Sequence, residues 1–122
     1  MVVRTATVTA LSDTLDGLWE GLLSGETAIR PITRFNTDRY TSGVGACIDD
    51  LPARGSRSMI HELLSRLFQG WGPTPPDTVV LTASTKSGID NLEKTLRGEP
   101  AETRDILLPS LPGIVSEKLG LG

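Results

Sequence analysis

Residues 19–35, WEGLLSGETAIRPITRF, decide the fold of this chain. The stretch opens as the end of a helix. Leu15, Leu18, Trp19, Leu22 and Leu23 recur at i, i+3, i+4, i+7 and i+8, which places them in one apolar stripe. Asp13 stands where an N-cap belongs, and Asp16 favours the positive end of the helix. Gly25 supplies the left-handed stop. Pro31 then biases Arg30 towards an extended conformation, so residues 26–42 read as an ordered arm and not a second helix.

Outward from this stretch, strands and helices alternate. Residues 2–10, VVRTATVTA, have the Val and Thr content of a strand, and residues 43–48, GVGACI, form a short one. Ser56 or Ser58 can cap a second helix. Met59, Ile60, Leu63, Leu64, Leu67, Phe68 and Trp71 give that helix the clearest periodicity in the chain, with core packing as their expected role. Gly70, Gly72 and the prolines at 73, 75 and 76 end it. Residues 78–83, TVVLTA, have the continuous apolar centre of a strand buried on both faces. Ser87 with Asp90 resembles a capping box ahead of a short helix carrying Ile89, Leu92 and Leu96, which Gly98 ends. Residues 99–106 are a polar connection. Leu111, Ile114, Val115 and Leu119 keep helical spacing, with Pro112 tolerated in a first turn. This order predicts an α/β layered fold. The few strands visible fall below the usual sheet size, so the sheet is expected to need strands from elsewhere.

Composition narrows the function. A chain of 122 residues is one domain or part of one, long enough to bury roughly two thirds of its unfolded surface. Hydrophobic residues are 38% and charged residues 22%, which suits a globular chain. A net charge of −3 and aromatics at 4% argue against nucleic acid as a partner. No apolar run reaches transmembrane length and no signal peptide is visible, so no membrane is expected and the compartment is expected to be cytoplasmic. Cys47 is the one cysteine and His61 the one histidine, which excludes an intramolecular disulfide and a zinc site built from Cys and His.

The motifs together resemble the β-ketoacyl synthases, the condensing enzymes of fatty-acid and polyketide synthesis. Such enzymes open with a strand, a Thr-Pro-Leu-Gly-like turn, a helix like WEGLLAG and an arm like SGIRPITRF. Here Thr9-Ala10-Leu11-Ser12 stands at the turn, residues 19–25 at the helix end and residues 29–35 at the arm. Residues 78–84 resemble the strand before the family's glycine-rich loop. Residues 109–122, PSLPGIVSEKLGLG, resemble its P-x-x-P-x-x-x-S-x-x-L-G-L helix. There are departures. Val3 and Arg4 stand where the family has Thr-Gly, Ser12 replaces a glycine, and the loop reads Ser84-Thr85-Lys86-Ser87-Gly88. That loop is similar to a divergent branch associated with aryl polyene-type clusters.

The resemblance implies a thiolase-like α/β fold, of which this chain is the N-terminal portion, with an incomplete mixed sheet flanked by helices. It implies a decarboxylative Claisen condensation of acyl and malonyl thioesters delivered by acyl carrier protein, with no cofactor. A cysteine nucleophile and two histidines carry that chemistry. None of them can be matched between residues 1 and 122, so the portion is expected to be inactive alone. Its partners would be the remainder of the synthase chain and a second subunit, in a homo- or heterodimer.

Individual candidates are weighed against plainer roles. Cys47 lies early in the chain with no histidine placed to activate it, and is expected to be a buried structural cysteine. His61 is expected to be a surface or half-buried structural residue, because a general base needs a partner and none is suggested. Ser84, Thr85, Lys86 and Ser87 follow a predicted strand and precede a helix, the geometry that cradles anions, and are the candidate substrate-binding residues. A P-loop is excluded by spacing, and a plain strand-to-helix cap is the competing role. By resemblance the loop would lie near an acyl tunnel and dimer interface. Two other functions stay open. One is a portion of a non-catalytic chain-length-factor-like subunit. The other is a small α/β module holding a phosphate-like group at residues 84–88.

Overall fold

The computed structural model describes residues 2, 4–52 and 55–121. They divide into two compact units, one ending at Asp50 and the other starting at Leu51.

The first unit holds one helix and one ribbon. Thr9 closes a turn by donating from its hydroxyl to the Ser12 carbonyl at 3.0 Å and accepting the Ser12 amide at 3.0 Å. Helix α1 follows at Leu15–Ser24. Its N-cap is Thr14, whose hydroxyl accepts the Gly17 amide at 3.1 Å, and not the Asp13 expected from sequence. Asp16 lies in the first turn as expected. At the far end Gly25 adopts φ 74°, and the Glu26 amide reaches back to the Gly21 carbonyl at 2.9 Å, a Schellman ending. Leu11 covers Gly21 so closely that a Cβ there would stand 2.8 Å from its Cδ2.

The arm is a ribbon. Strand β1, Ile29–Pro31, pairs antiparallel with β2, Val44–Ala46, in the register Ile29 with Ala46 and Pro31 with Val44. Both are edge strands, which is where proline belongs in a sheet. The Arg30 guanidinium holds the return segment through Asp49 at 2.7 Å and the Cys47 carbonyl at 3.2 Å. The bridge is half exposed and worth at most about 1 kcal/mol. Leu15, Trp19, Leu22 and Leu23 of α1 are all exposed within this unit, so their stripe covers no core there.

The second unit is helical. Its helices are α2 at Ile60–Leu67, α3 at Ile89–Leu96, the single turn α4 at Thr103–Ile106, and α5 at Leu111–Leu119 after a short 3₁₀ turn at Leu108–Ser110. Leu64 of α2 meets Leu111, Ile114 and Val115 of α5 in the apolar core. Ile60, Leu67, Phe68 and Leu119 pack around it, as the periodicity of residues 59–71 and 111–119 predicts, and Val80 joins them from outside those helices. Phe68 and Trp71 add an edge-to-face pair with centroids 5.0 Å apart.

Three expectations are corrected. Among the described residues, 2–10 form no strand; positions 1 and 3 lie outside them. Residues 78–83 also join no sheet, and Val79 and Leu81 are 80% and 91% exposed. A strand needs a partner ladder as well as the right composition, and neither segment has one. The sheet is accordingly a two-stranded antiparallel ribbon in which the strand expected at residues 43–48 forms over 44–46 and pairs with the arm, and not a mixed sheet. The protein is thus a small mixed α/β fold.

The third correction concerns α3. Its periodicity located the helix, and Gly98 ends it with φ 72°. Yet Ile89, Leu92 and Leu96 face outward, while Asn91 and Lys94 are buried. The capping box is absent too: Gly88 is the N-cap, and neither Ser87 nor Asp90 caps the helix.

Candidate functional site

The polar residues that α3 turns inward join a buried, hydrogen-bonded cluster in the second unit. Asp105, in α4, is 2% exposed. Its carboxylate accepts the Ser58 amide at 2.8 Å and His61 Nε2 at 3.1 Å to each oxygen. Asp90, on α3, accepts the Met59 amide at 2.9 Å and the Ser58 hydroxyl. The Ser58 hydroxyl in turn accepts the Ile60 amide at 3.2 Å. The start of α2 is therefore capped by two carboxylates from elsewhere in the chain, with Ser58 between them. Negative groups at a helix N-terminus satisfy its orphan amides and suit its dipole. That explains why Met59, the N-cap itself, makes no side-chain cap.

Asn91 and Lys94 tie the loop before α2 to α3 and α4. The Asn91 amide donates to the carbonyls of Ser56 at 2.9 Å and Glu102 at 3.1 Å. Lys94 Nζ donates to the carbonyls of Gly55 and Arg57 and to Asn91 Oδ1, between 3.1 and 3.3 Å. Its charge also lies 4.0 Å from Asp90. Gly88 approaches so closely that a Cβ would meet the Asp105 carbonyl and Ser58 Oγ, both at 2.7 Å.

Burial pushes the Asp105 carboxyl upward. The Ser58 amide, the His61 hydrogen bond and the nearby positive charges of His61 and Arg57 together outweigh burial and hold it below the usual carboxylate range. An ionised Asp105 only accepts, so His61 Nε2 carries the proton. His61 Nδ1 is buried without a partner. No acyl-transfer triad results. Ser58 Oγ is committed to Asp90, and Ser65 Oγ donates to the His61 main-chain carbonyl at 2.8 Å.

Beside this cluster lies a cavity of about 150 Å³ lined by Arg57, Ser58, His61, Ser65 and Lys118, with Pro52 and Glu62 completing it. Lys118 Nζ donates to Ser65 Oγ at 2.7 Å. Arg57 stands 3.5 Å from Glu117, both side chains about half exposed.

The residues expected to bind substrate are elsewhere. Ser84 Oγ accepts the amides of Lys86 and Ser87 at 3.2 and 3.3 Å, closing a local turn. Ser84, Thr85 and Lys86 are exposed and do not line the cavity. Ser87, at φ 35°, spends its hydroxyl on the Asp105 carbonyl at 2.9 Å and anchors α4. His61 is buried and paired with a carboxylate, contrary to the expectation of a partnerless, more exposed residue. Cys47 is half-buried in the first unit and not fully buried as expected.

Asp105 was hidden in a segment that reads as a polar connection. Asn91 and Lys94 carried one signal, since they share a helix face at i, i+3 opposite the apolar stripe. Among the described residues no cluster of His, Cys, Asp or Glu could hold a metal ion, and no helix is long and apolar enough to cross a membrane. No protein-family model, curated protein or solved structure matches the chain.

Proposed function

We propose that the chain is the N-terminal portion of a β-ketoacyl synthase. It contributes scaffold to a thiolase-like layered fold whose nucleophilic cysteine and histidines lie further along. The complete enzyme joins acyl and malonyl units, carried by acyl carrier protein, in a decarboxylative Claisen condensation of fatty-acid or polyketide synthesis. It works in the cytoplasm as a homo- or heterodimer. The observation that carries this is the segment 78–83. It has the composition of a strand covered on both faces, yet it joins no sheet, and although Val80 packs on the core, Val79 and Leu81 stay 80% and 91% exposed. Chain that covers these exposed residues is what a larger layered fold supplies. The outward stripes of α1 and α3 support the same conclusion, since helices in such folds cover a sheet with their apolar faces.

The Ser84–Ser87 turn would then sit beside the acyl site as a substrate-contacting loop, with the Lys86 side chain exposed for that contact. Reading the gene past codon 122 tests the proposal. The expected result is an in-frame segment with a cysteine followed by two histidines, whose full product decarboxylates malonyl carrier protein while residues 1–122 alone do not. A glutamine at the cysteine position would move the chain to the non-catalytic chain-length-factor-like subunits. A frame with neither, or condensation by residues 1–122 alone, overturns the proposal.

A further inference from the structure

We infer that the cleft between α2 and α5 binds a small phosphate-type oxyanion. The cavity of about 150 Å³ has room for a tetrahedral anion with attendant water. Its walls present more donors than the protein uses. Among the described residues, Lys118 commits one of its three N–H groups, to Ser65. Among the same residues, Arg57 makes one long hydrogen bond, to Glu117 at 3.5 Å, leaving most of its five-donor fork for another acceptor. His61 forms part of the wall with its side chain nine-tenths buried; with Nε2 held by Asp105, its Nδ1 is a donor only in the imidazolium form, so the anion's donors are Arg57 and Lys118 and His61 is the reporter beside them.

The hydroxyls in the lining are already engaged, Ser58 and Ser65 as described. Glu62 adds one negative charge to the lining, which the cations of Arg57 and Lys118 outnumber. Asp105 lies behind His61, where Ser58, His61 and Arg57 offset its charge. The helix terminus is not needed, because Asp90, Asp105 and Ser58 have taken its first amides. A guanidinium fork with an ammonium point charge suits phosphate, which accepts from both. The site does not depend on the condensing-enzyme assignment, so either can fail alone.

The single histidine makes the test direct, since the imidazole region of a ¹H–¹⁵N spectrum holds one residue's signals. The purified chain at pH 7 is titrated with inorganic phosphate and, separately, methyl phosphate, against sodium chloride at equal ionic strength. The expected result is a saturable His61 shift with a Kd of about 1 mM, weakened at least about tenfold by Arg57→Gln and by Lys118→Gln. Arg97→Gln, at the end of α3 and outside the cleft lining, leaves it unchanged. Equal affinity for methyl phosphate points to the terminal phosphate of a larger molecule, and a preference for inorganic phosphate to the free ion. A shift matched by chloride, a shift that never saturates, or one untouched by both cleft variants overturns the inference.

Discussion

Replacing Asp105 with alanine removes one acceptor from two buried donors, the Ser58 amide at 2.8 Å and His61 Nε2 at 3.1 Å. The Asp105 carbonyl, which holds Gly88 and Ser87, survives the change, so the variant isolates the carboxylate. Each stranded donor costs about 1–3 kcal/mol, and breaking a buried pair about 3–5 kcal/mol. The expected loss at pH 7 is therefore about 4 kcal/mol. With a urea m-value of about 1–3 kcal/mol/M, the midpoint drops by about 1–4 M. Asp105→Asn keeps one acceptor oxygen and loses about half as much free energy.

The pH dependence has a fixed sign. The folded carboxyl is held below its unfolded value, so the unfolded state binds more protons between the two. Stability from the carboxylate is complete above an unfolded pKa of about 3.9 and is lost as pH falls through the folded value. The Asp105→Ala deficit, read from urea midpoints by circular dichroism, should therefore be constant above about pH 5 and shrink below about pH 4. A deficit under about 1 kcal/mol at pH 7, or one that is equal at pH 3 and pH 7, would refute the reasoning.

Two further outcomes are expected. Gly88→Ala should cost about 1–3 kcal/mol or more, because its Cβ would strike a main-chain carbonyl and Ser58 at 2.7 Å. Gly72→Ala, with open space around it, should stay within about 0.5 kcal/mol in the same urea assay, so equal effects would sink the packing argument. Leu81→Asp, at 91% exposure, should leave the melting of the isolated chain within about 0.5 kcal/mol of the parent. Under the proposed function it should also abolish co-purification with the downstream segment; unimpaired co-purification would contradict the burial of residues 78–83 in the complete fold.

What could be read from the sequence follows the range of the interactions involved. Gly25 and the helix before it depend on neighbours a few residues away, so periodicity and stop chemistry located them. Ile29 and Ala46 lie far apart in sequence; the composition of residues 43–48 pointed to a short strand, whereas Pro31 gave only an extended arm, so the pairing of the two was not legible. The failures at residues 2–10 and 78–83 come from composition, which records fitness for a sheet and not the presence of one. Helix α3 shows a different limit. Its period gave its extent, but a hydrophobic stripe predicts the inward face only where apolar burial decides orientation. Here Asn91, Lys94 and Asp90 decide it, through bonds to carbonyls and amides that sequence spacing does not connect. Asp105 was illegible for the same reason, its partners lying 44 and 47 positions away.

The bonds beneath α3 also bear on any association this surface enters. Directional contacts from Asp90, Asn91 and Lys94 resist rotation of the helix about its axis, which an oily seam would allow. Ile89, Leu92 and Leu96 are thus held at a set angle before anything covers them. Immobilising a flexible side chain on association costs about 0.5–1.5 kcal/mol, beyond the cost of ordering the segment that carries it. On α3 the backbone share of that cost is met during folding. Whatever surface receives the stripe meets a face whose geometry is already in place, so mutations in the polar cluster should weaken that association without touching the contact itself.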